Sequence, residues 1–177
     1  EMCIRDSDWA SITLFEQFMD TPNTILALDY GVKKSGMALG NTLTNNAQPF
    51  GILAMDNGQP DWDNLLGIIS SWQITSVVVG LPLNMDGTDS MLSKRAAKFA
   101  RRLAHKLGER HSTTSVHLSD ERLTSREARS LAWERGLISH EREPIDAIAA
   151  CLIFGAFING HSTPVLSYHN NPNTYDD

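Results

Sequence analysis

The sequence predicts an α/β fold with a mixed five-stranded sheet flanked by helices, and three observations carry that expectation. Residues 25–28 (ILAL) and 77–79 (VVV) are short apolar runs of the kind found in strands covered on both faces. Residues 60–73 and 88–108 repeat apolar side chains at three- and four-residue spacing, as helices do when they bury one face. Three closely spaced strand patterns come first and helices alternate with strands afterwards, an order that suits one sheet with helices on its faces.

Bulk properties narrow the function. At 177 residues the chain suits one domain with a full core. No apolar run approaches a membrane span, and the N-terminal stretch lacks the apolar region of a signal peptide. Two cysteines, Cys3 and Cys151, give no basis for a disulfide framework or a zinc site, so a reducing cytoplasm is expected. The formal charge of −6 is peripheral in origin. Residues 1–20 hold one Arg against five acids and the last two residues are Asp, while residues 21–175 balance 14 basic against 14 acidic side chains. Inside that neutral body, residues 94–110 carry seven Lys or Arg and a single acid, Glu109.

Taken in order, residues 1–20 read as an N-terminal extension. Its first seven, EMCIRDS, resemble sequencing-adapter read-through once back-translated and are set aside from fold reasoning. The domain is expected over 21–160. Residues 24–29 form the first strand, 35–40 the second and 50–55 the third, with connections short enough for an antiparallel meander. The helix over 60–73 presents Trp62, Leu65, Leu66, Ile69 and Trp72 on one face. The fourth strand, at 77–79, follows a helical crossover and should run parallel to the first. The helix over 88–108 buries Leu92, Ala96, Phe99, Leu103 and Leu107, and sets Lys94, Arg95, Lys98, Arg101, Arg102 and Lys106 around the remainder. That one-signed face suits phosphates, the alternative being an ordinary solvated surface. Residues 116–118 make a fifth strand, Thr124-x-x-Glu127 is a capping box opening a helix that stops at Gly136, and Pro144 opens a last apolar helix over 145–158. Residues 161–177, rich in Pro, Asn, Ser and Asp, are expected to be a disordered tail.

The chemistry concentrates at element ends. Asp29 closes the first strand, and a carboxylate there is expensive unless something cationic compensates it. Asp120 and Glu121 close the fifth strand and Asp146 lies in the first turn of the last helix, so Asp29, Glu121 and Asp146 can meet at one sheet edge. Three such carboxylates stay ionised together only with a cation, and oxygen ligands suit Mg²⁺ or Mn²⁺. Two such ions about 4 Å apart serve phosphodiester hydrolysis. Singly, each residue has a plainer account: a helix dipole for Asp146, a surface pair with Arg122 or Arg126 for Glu121, and a turn for Asp29. Their shared edge favours the joint reading.

Four segments, LDYGVKKSGMALG, VVVGLPLNMDGTDS, DERLTSREAR and PIDAIAACLIF, resemble in order the YqgF/RuvX family of RNase H-like nucleases, described as Holliday junction resolvases and as pre-16S rRNA nucleases. The resemblance runs from Ile25 to Asn159. It implies an RNase H-like fold, the acidic metal-binding triad Asp29, Glu121 and Asp146, and processing of a small-subunit rRNA precursor. Ser35 stands where the family usually has an apolar residue, and the loop before Asp146 reads EREP rather than a lysine-containing stretch.

Around the triad, Lys33, Lys34 and Arg122 are candidate phosphate contacts, Asn84 a candidate substrate contact, and Lys94, Arg95, Lys98 and Arg102 a basic face for the nucleic acid. Turn lysines, a surface ion pair and an Asx turn are the plainer readings. His105, His111, His117 and His140 show no metal spacing, and Trp62, Trp72 and Trp133 suit core positions better than base-stacking. The partner is nucleic acid, with pre-rRNA ahead of branched DNA, and the chain a monomer or homodimer. A junction resolvase would need a two-fold dimer. Two other classes compete. An actin- or sugar-kinase-type phosphotransferase shares the Asp-x-Gly start but needs a second nucleotide-clamping domain and leaves Glu121 and Asp146 idle. A non-catalytic assembly module would use the basic helix alone. ATP binding would favour the first, and binding without cleavage the second.

Overall fold

A computed structural model describes residues 23–82, 88–120 and 145–165. Their elements are β1 (Thr24–Asp29), β2 (Lys34–Asn41), β3 (Asn46–Asp56), β4 (Gln59–Pro60), α1 (Trp62–Ser71), β5 (Ile74–Leu81), α2 (Met91–Glu109), β6 (Ser115–Asp120), α3 (Ile145–Ile158) and β7 (Ser162–Val165). The strands form one mixed sheet in the order β4-β3-β2-β1-β5-β6-β7. β1, β5 and β6 are parallel, while β2, β3 and β7 join antiparallel. The capping-box helix expected after Thr124 lies outside the described residues, as does Trp133.

β1 is central and its alternation splits the core in two. Leu26 and Leu28 pack with Val77 and Val79 of β5 beneath α1 and α2, where Leu65, Ile69, Phe99 and Leu103 are buried. Ile25 and Ala27 face the other way with Ala38 and Val78, against Ala150, Ile153 and Phe154 of α3. On that second face β2 starts with Lys34 and continues with Gly36, Ala38 and Gly40. A Cβ on Gly40 would run into the Phe154 ring. The small row lets α3 lie directly on the sheet, as expected for an apolar helix rich in Ala.

Both other helices start at side-chain caps. The Asp61 carboxylate accepts from the amides of Asp63 and Asn64 at 3.1 and 3.2 Å, and Ser90 Oγ accepts from the Ser93 amide at 2.9 Å. Each satisfies backbone donors that a helix start leaves open.

Three expectations need correction. The sheet has seven strands rather than five. One addition, β4, comes from the Asn57-Gly58 turn, where φ is 48° and 80°. Asn-Gly is the favoured pair for a two-residue hairpin, so this signal was present in the sequence. The second addition, β7, falls in the supposed tail: Gly160, at φ 82°, reverses the chain after α3, and 162–165 pair with the open edge of β6. Pro164 is tolerated there because an edge strand can spare an amide donor. Finally, Trp72 is 50% exposed beyond the end of α1, its ring edge-on to Phe50, whereas Trp62 stacks on Phe99 as a core residue should.

His117 of β6 lies on the α3 face, edge-on to the Phe157 ring with its Nε2 2.9 Å from Ser115 Oγ. Burial lowers its pKa below 6.5 because the charged ring would lose solvent. The unfolded chain therefore takes up this proton first, so the stabilising difference is full above pH 6.5 and declines as pH falls through the lowered folded value. Urea midpoints measured from pH 7.5 to 5 should fall less steeply in His117→Gln than in the parent.

Candidate active site

The parallel strands end together. Leu28 pairs with Val79, and Leu81 with Asp120, so the carboxyl ends of β1, β5 and β6 form one sheet edge. Asp29, half-buried, is the last residue of β1. By the alternation of the strand it shares a face with Ile25 and Ala27, the face covered by α3.

α3 begins at that same point. Gly36 is the direct antiparallel partner of Asp29, and partners in register project to one face. A Cβ on Gly36 would collide with the carbonyl of Asp146 and lie 2.6 Å from the Ala147 nitrogen. The first turn of α3 therefore rests on the backbone beside Asp29, and a glycine is what permits the approach. Asp146 and Asp29 are thus carried to one spot by elements far apart in sequence.

Lys34 completes the described part of the site. It occupies the same face of β2 as Gly36, two residues earlier, and its Nζ lies 2.5 Å from Asp146 Oδ2. The lysine side chain is 61% exposed and the aspartate 32%. A pair this open contributes at most about 1 kcal/mol to stability. Its interest lies in the charge it sets beside the Asp146 carboxylate.

The turn between β1 and β2 is held from several sides. Ser35 Oγ accepts from the Gly31 amide at 3.2 Å, which explains a buried hydroxyl where an apolar residue was expected. The Met55 and Gly58 amides donate to the carbonyls of Lys33 and Val32 at 2.9 and 2.8 Å. Tyr30, buried against Phe99, donates from its hydroxyl to the Gly58 carbonyl at 3.2 Å. The backbone of Lys33 is thereby fixed while its side chain stays exposed.

The other sequence candidates separate into three groups. Glu121, Arg122 and Asn84 lie outside the described residues, though Glu121 directly follows Asp120, the end of β6. Lys94, Lys98 and Arg102 are exposed along α2, as is Arg101. Arg95 is diverted: its Nη2 donates to the carbonyl and side-chain oxygens of Asn57 at 2.7 and 2.8 Å, clamping the β3–β4 turn. Lys106 lies over the Trp62 ring. α2 starts at the site edge, since Ser90 Oγ donates to the Pro82 carbonyl just beyond β5. Its basic stripe leads away from that edge. Tyr30 and Asn57, which fix the loop around the site, were passed over in the sequence because each acts only through a distant partner.

Among the described residues no group of three metal-ligating side chains is present. Asp29 and Asp146, whose backbones meet beside Gly36, carry oxygen donors of the hard type that suits a divalent cation such as Mg²⁺ or Mn²⁺.

The family model described as RuvX, Holliday junction resolvase, matches residues 23–160. The chain belongs to the RuvX family. A protein of Psychrobacter cryohalolentis named as a candidate pre-16S rRNA nuclease is 66% identical over 143 residues, covering 80% of this chain and 83% of that one. One of the same name from Saccharophagus degradans is 40% identical over 142 residues, covering 80% and 96%. Among solved structures, Thermus thermophilus RuvC in complex with a Holliday junction substrate aligns at TM-score 0.52 and 14% identity, over 81% of this chain and 99% of that one. The RNase H-like fold expected of a RuvX chain is the fold observed, with seven strands in place of five. Its matched span takes in every element from β1 to α3, so the whole described edge belongs to the family region.

Proposed function

We propose that this RuvX-family chain is a divalent-metal-dependent nuclease of the cytoplasm, acting on structured nucleic acid, with the 5′ region of a small-subunit rRNA precursor as its first substrate. The observation that carries the reading is the meeting of Asp29 with the first turn of α3, through Gly36, at the carboxyl ends of three parallel strands. The names of the RuvX-family relatives support rRNA as the substrate. No described helix is long and apolar enough to cross a membrane.

Asp29, Glu121 and Asp146 would hold Mg²⁺ or Mn²⁺ through their carboxylate oxygens. Bound there, the metal supplies a nucleophile at neutral pH and stabilises charge on the phosphoryl and leaving oxygens. The chain's own cations do the rest. Lys33, on the β1–β2 turn, and Lys34, at the start of β2, would take a flanking phosphate, and Arg122 would clamp one bidentately. The exposed stripe of Lys94, Lys98 and Arg102 would hold a further length of backbone without reading its sequence. Cleavage of a small-subunit rRNA precursor, with Mg²⁺, Mn²⁺ or chelator and Asp29→Asn in parallel, tests this. Metal-independent cutting, or cutting that survives in Asp29→Asn, would reject it.

A second reading, resolution of four-way DNA junctions, is favoured by the description of the matching family. It would require a two-fold dimer to cut symmetric strands. A synthetic junction in the same assay, with the oligomeric state measured by light scattering, separates the two. Binding to both substrates with no cutting would indicate an assembly module.

The basic stripe makes its own prediction. Replacing Lys94, Lys98 and Arg102 together by Gln should weaken nucleic-acid binding and flatten the plot of log affinity against log salt by about 2 to 3 units of slope. Arg95→Ala should leave that slope unchanged and lower the melting temperature, since its guanidinium is spent on Asn57.

A further inference from the structure

The ion pair between Lys34 and Asp146 puts a primary amine on a carboxylate that the proposed function assigns to a metal, and this inference rests on that assignment. An acidic site without its metal faces repulsion between its carboxylates. Here the compensating charge is built into the chain. Lys34 enters β2 on the α3 face, Gly36 brings the Asp146 backbone onto the same strand, and Lys34 Nζ reaches Asp146 Oδ2.

We propose that Lys34 is a tethered counter-cation of the metal-free site, competing with the divalent ion for Asp146. Without the metal, its ammonium holds the Asp146 carboxylate in place. A divalent ion must displace it, so Lys34 lowers the affinity for metal and sets the concentration at which the site fills. Displaced, the same side chain is released beside the site for the phosphate contact given above. The lysine is long, flexible and mostly exposed, so the exchange requires only side-chain rotation.

The competition is weak, as the exposure of the pair demands. Loss of an open ion pair corresponds to a change of up to about fivefold in a competing equilibrium, and salt should reduce it. The test is calorimetric titration of Mn²⁺ into the full chain without nucleic acid, comparing the parent with Lys34→Met, Lys33→Met and Asp29→Asn. Lys33→Met removes the same charge one residue away and controls for net charge. The expected result is Mn²⁺ binding about two- to fivefold tighter in Lys34→Met than in the parent, a smaller gain in Lys33→Met, and a gap that narrows at high salt. Equal gains in the two lysine variants, or no gain in Lys34→Met, would overturn the competition while leaving the metal site standing. Parent binding that is absent, or unchanged in Asp29→Asn, would overturn the metal site and this inference with it.

Discussion

Asp29→Asn is expected to lower the rate of phosphodiester cleavage about a thousandfold, with the fold intact. The substitution keeps the shape of the side chain and removes its charge, and a neutral amide oxygen is a weaker ligand for a divalent ion and supplies no counter-charge. Loss of Lewis-acid stabilisation at a phosphoryl centre amounts to several kcal/mol, and about 4 kcal/mol corresponds to a thousandfold in rate. Asp29 is half-buried at a strand end rather than in the core, so unfolding should not accompany the loss. Single-turnover cleavage of an rRNA precursor, alongside thermal melting, measures both quantities. A melting temperature close to the parent's with cleavage within tenfold of it would remove Asp29 from the chemistry.

Gly36→Ala should damage both stability and activity through one methyl group. Its Cβ would meet the carbonyl and the following amide of Asp146, both backbone, so no side-chain rotation relieves the contact. Either β2 or the first turn of α3 must move. Overpacking of this kind costs about 1–3 kcal/mol, or roughly 2–12 °C in melting temperature for a domain of this size. Asp146 moves with its helix, so the folded fraction should also lose most of its cleavage. Gly40→Ala is the control: its Cβ would meet the Phe154 ring, with Cζ 2.7 Å away, a packing conflict about two and a half turns from the N-terminal end of α3. It should cost comparable stability and spare the activity of the folded fraction. If Gly36→Ala loses no more activity than Gly40→Ala at equal stability, Gly36 has no part in placing Asp146.

Much of the architecture was legible because periodicity is local. The apolar run of β1 reads as doubly covered, and it is: Leu26 and Leu28 face α1 and α2 while Ile25 and Ala27 face α3. α3 spans Ile145–Ile158, the range expected, and Gly160 at φ 82° turns the chain just beyond it. β4 and β7 were missed for different reasons. The Asn57-Gly58 signal is a local one and was overlooked. The pairing of 162–165 is not local, because a short polar segment becomes a strand only when an open edge such as that of β6 is offered to it.

By itself the sequence determined which residues make strands and helices, that Asp29 and Asp146 stand at element ends, and that the chain carries a basic helix. Side-chain alternation along a strand and repetition around a helix are properties of neighbouring residues, so they survive in one dimension. The assignment of each charge was decided only by tertiary structure. Arg95, indistinguishable in sequence from Lys94 and Lys98, is spent on the turn at Asn57, whereas its neighbours remain exposed. Lys34 is committed to Asp146 because Gly36 admits the start of α3 to the same face of β2. Such partners lie dozens of residues apart in the chain, and a charge acquires its role from whichever opposite group the packing of the sheet brings within reach.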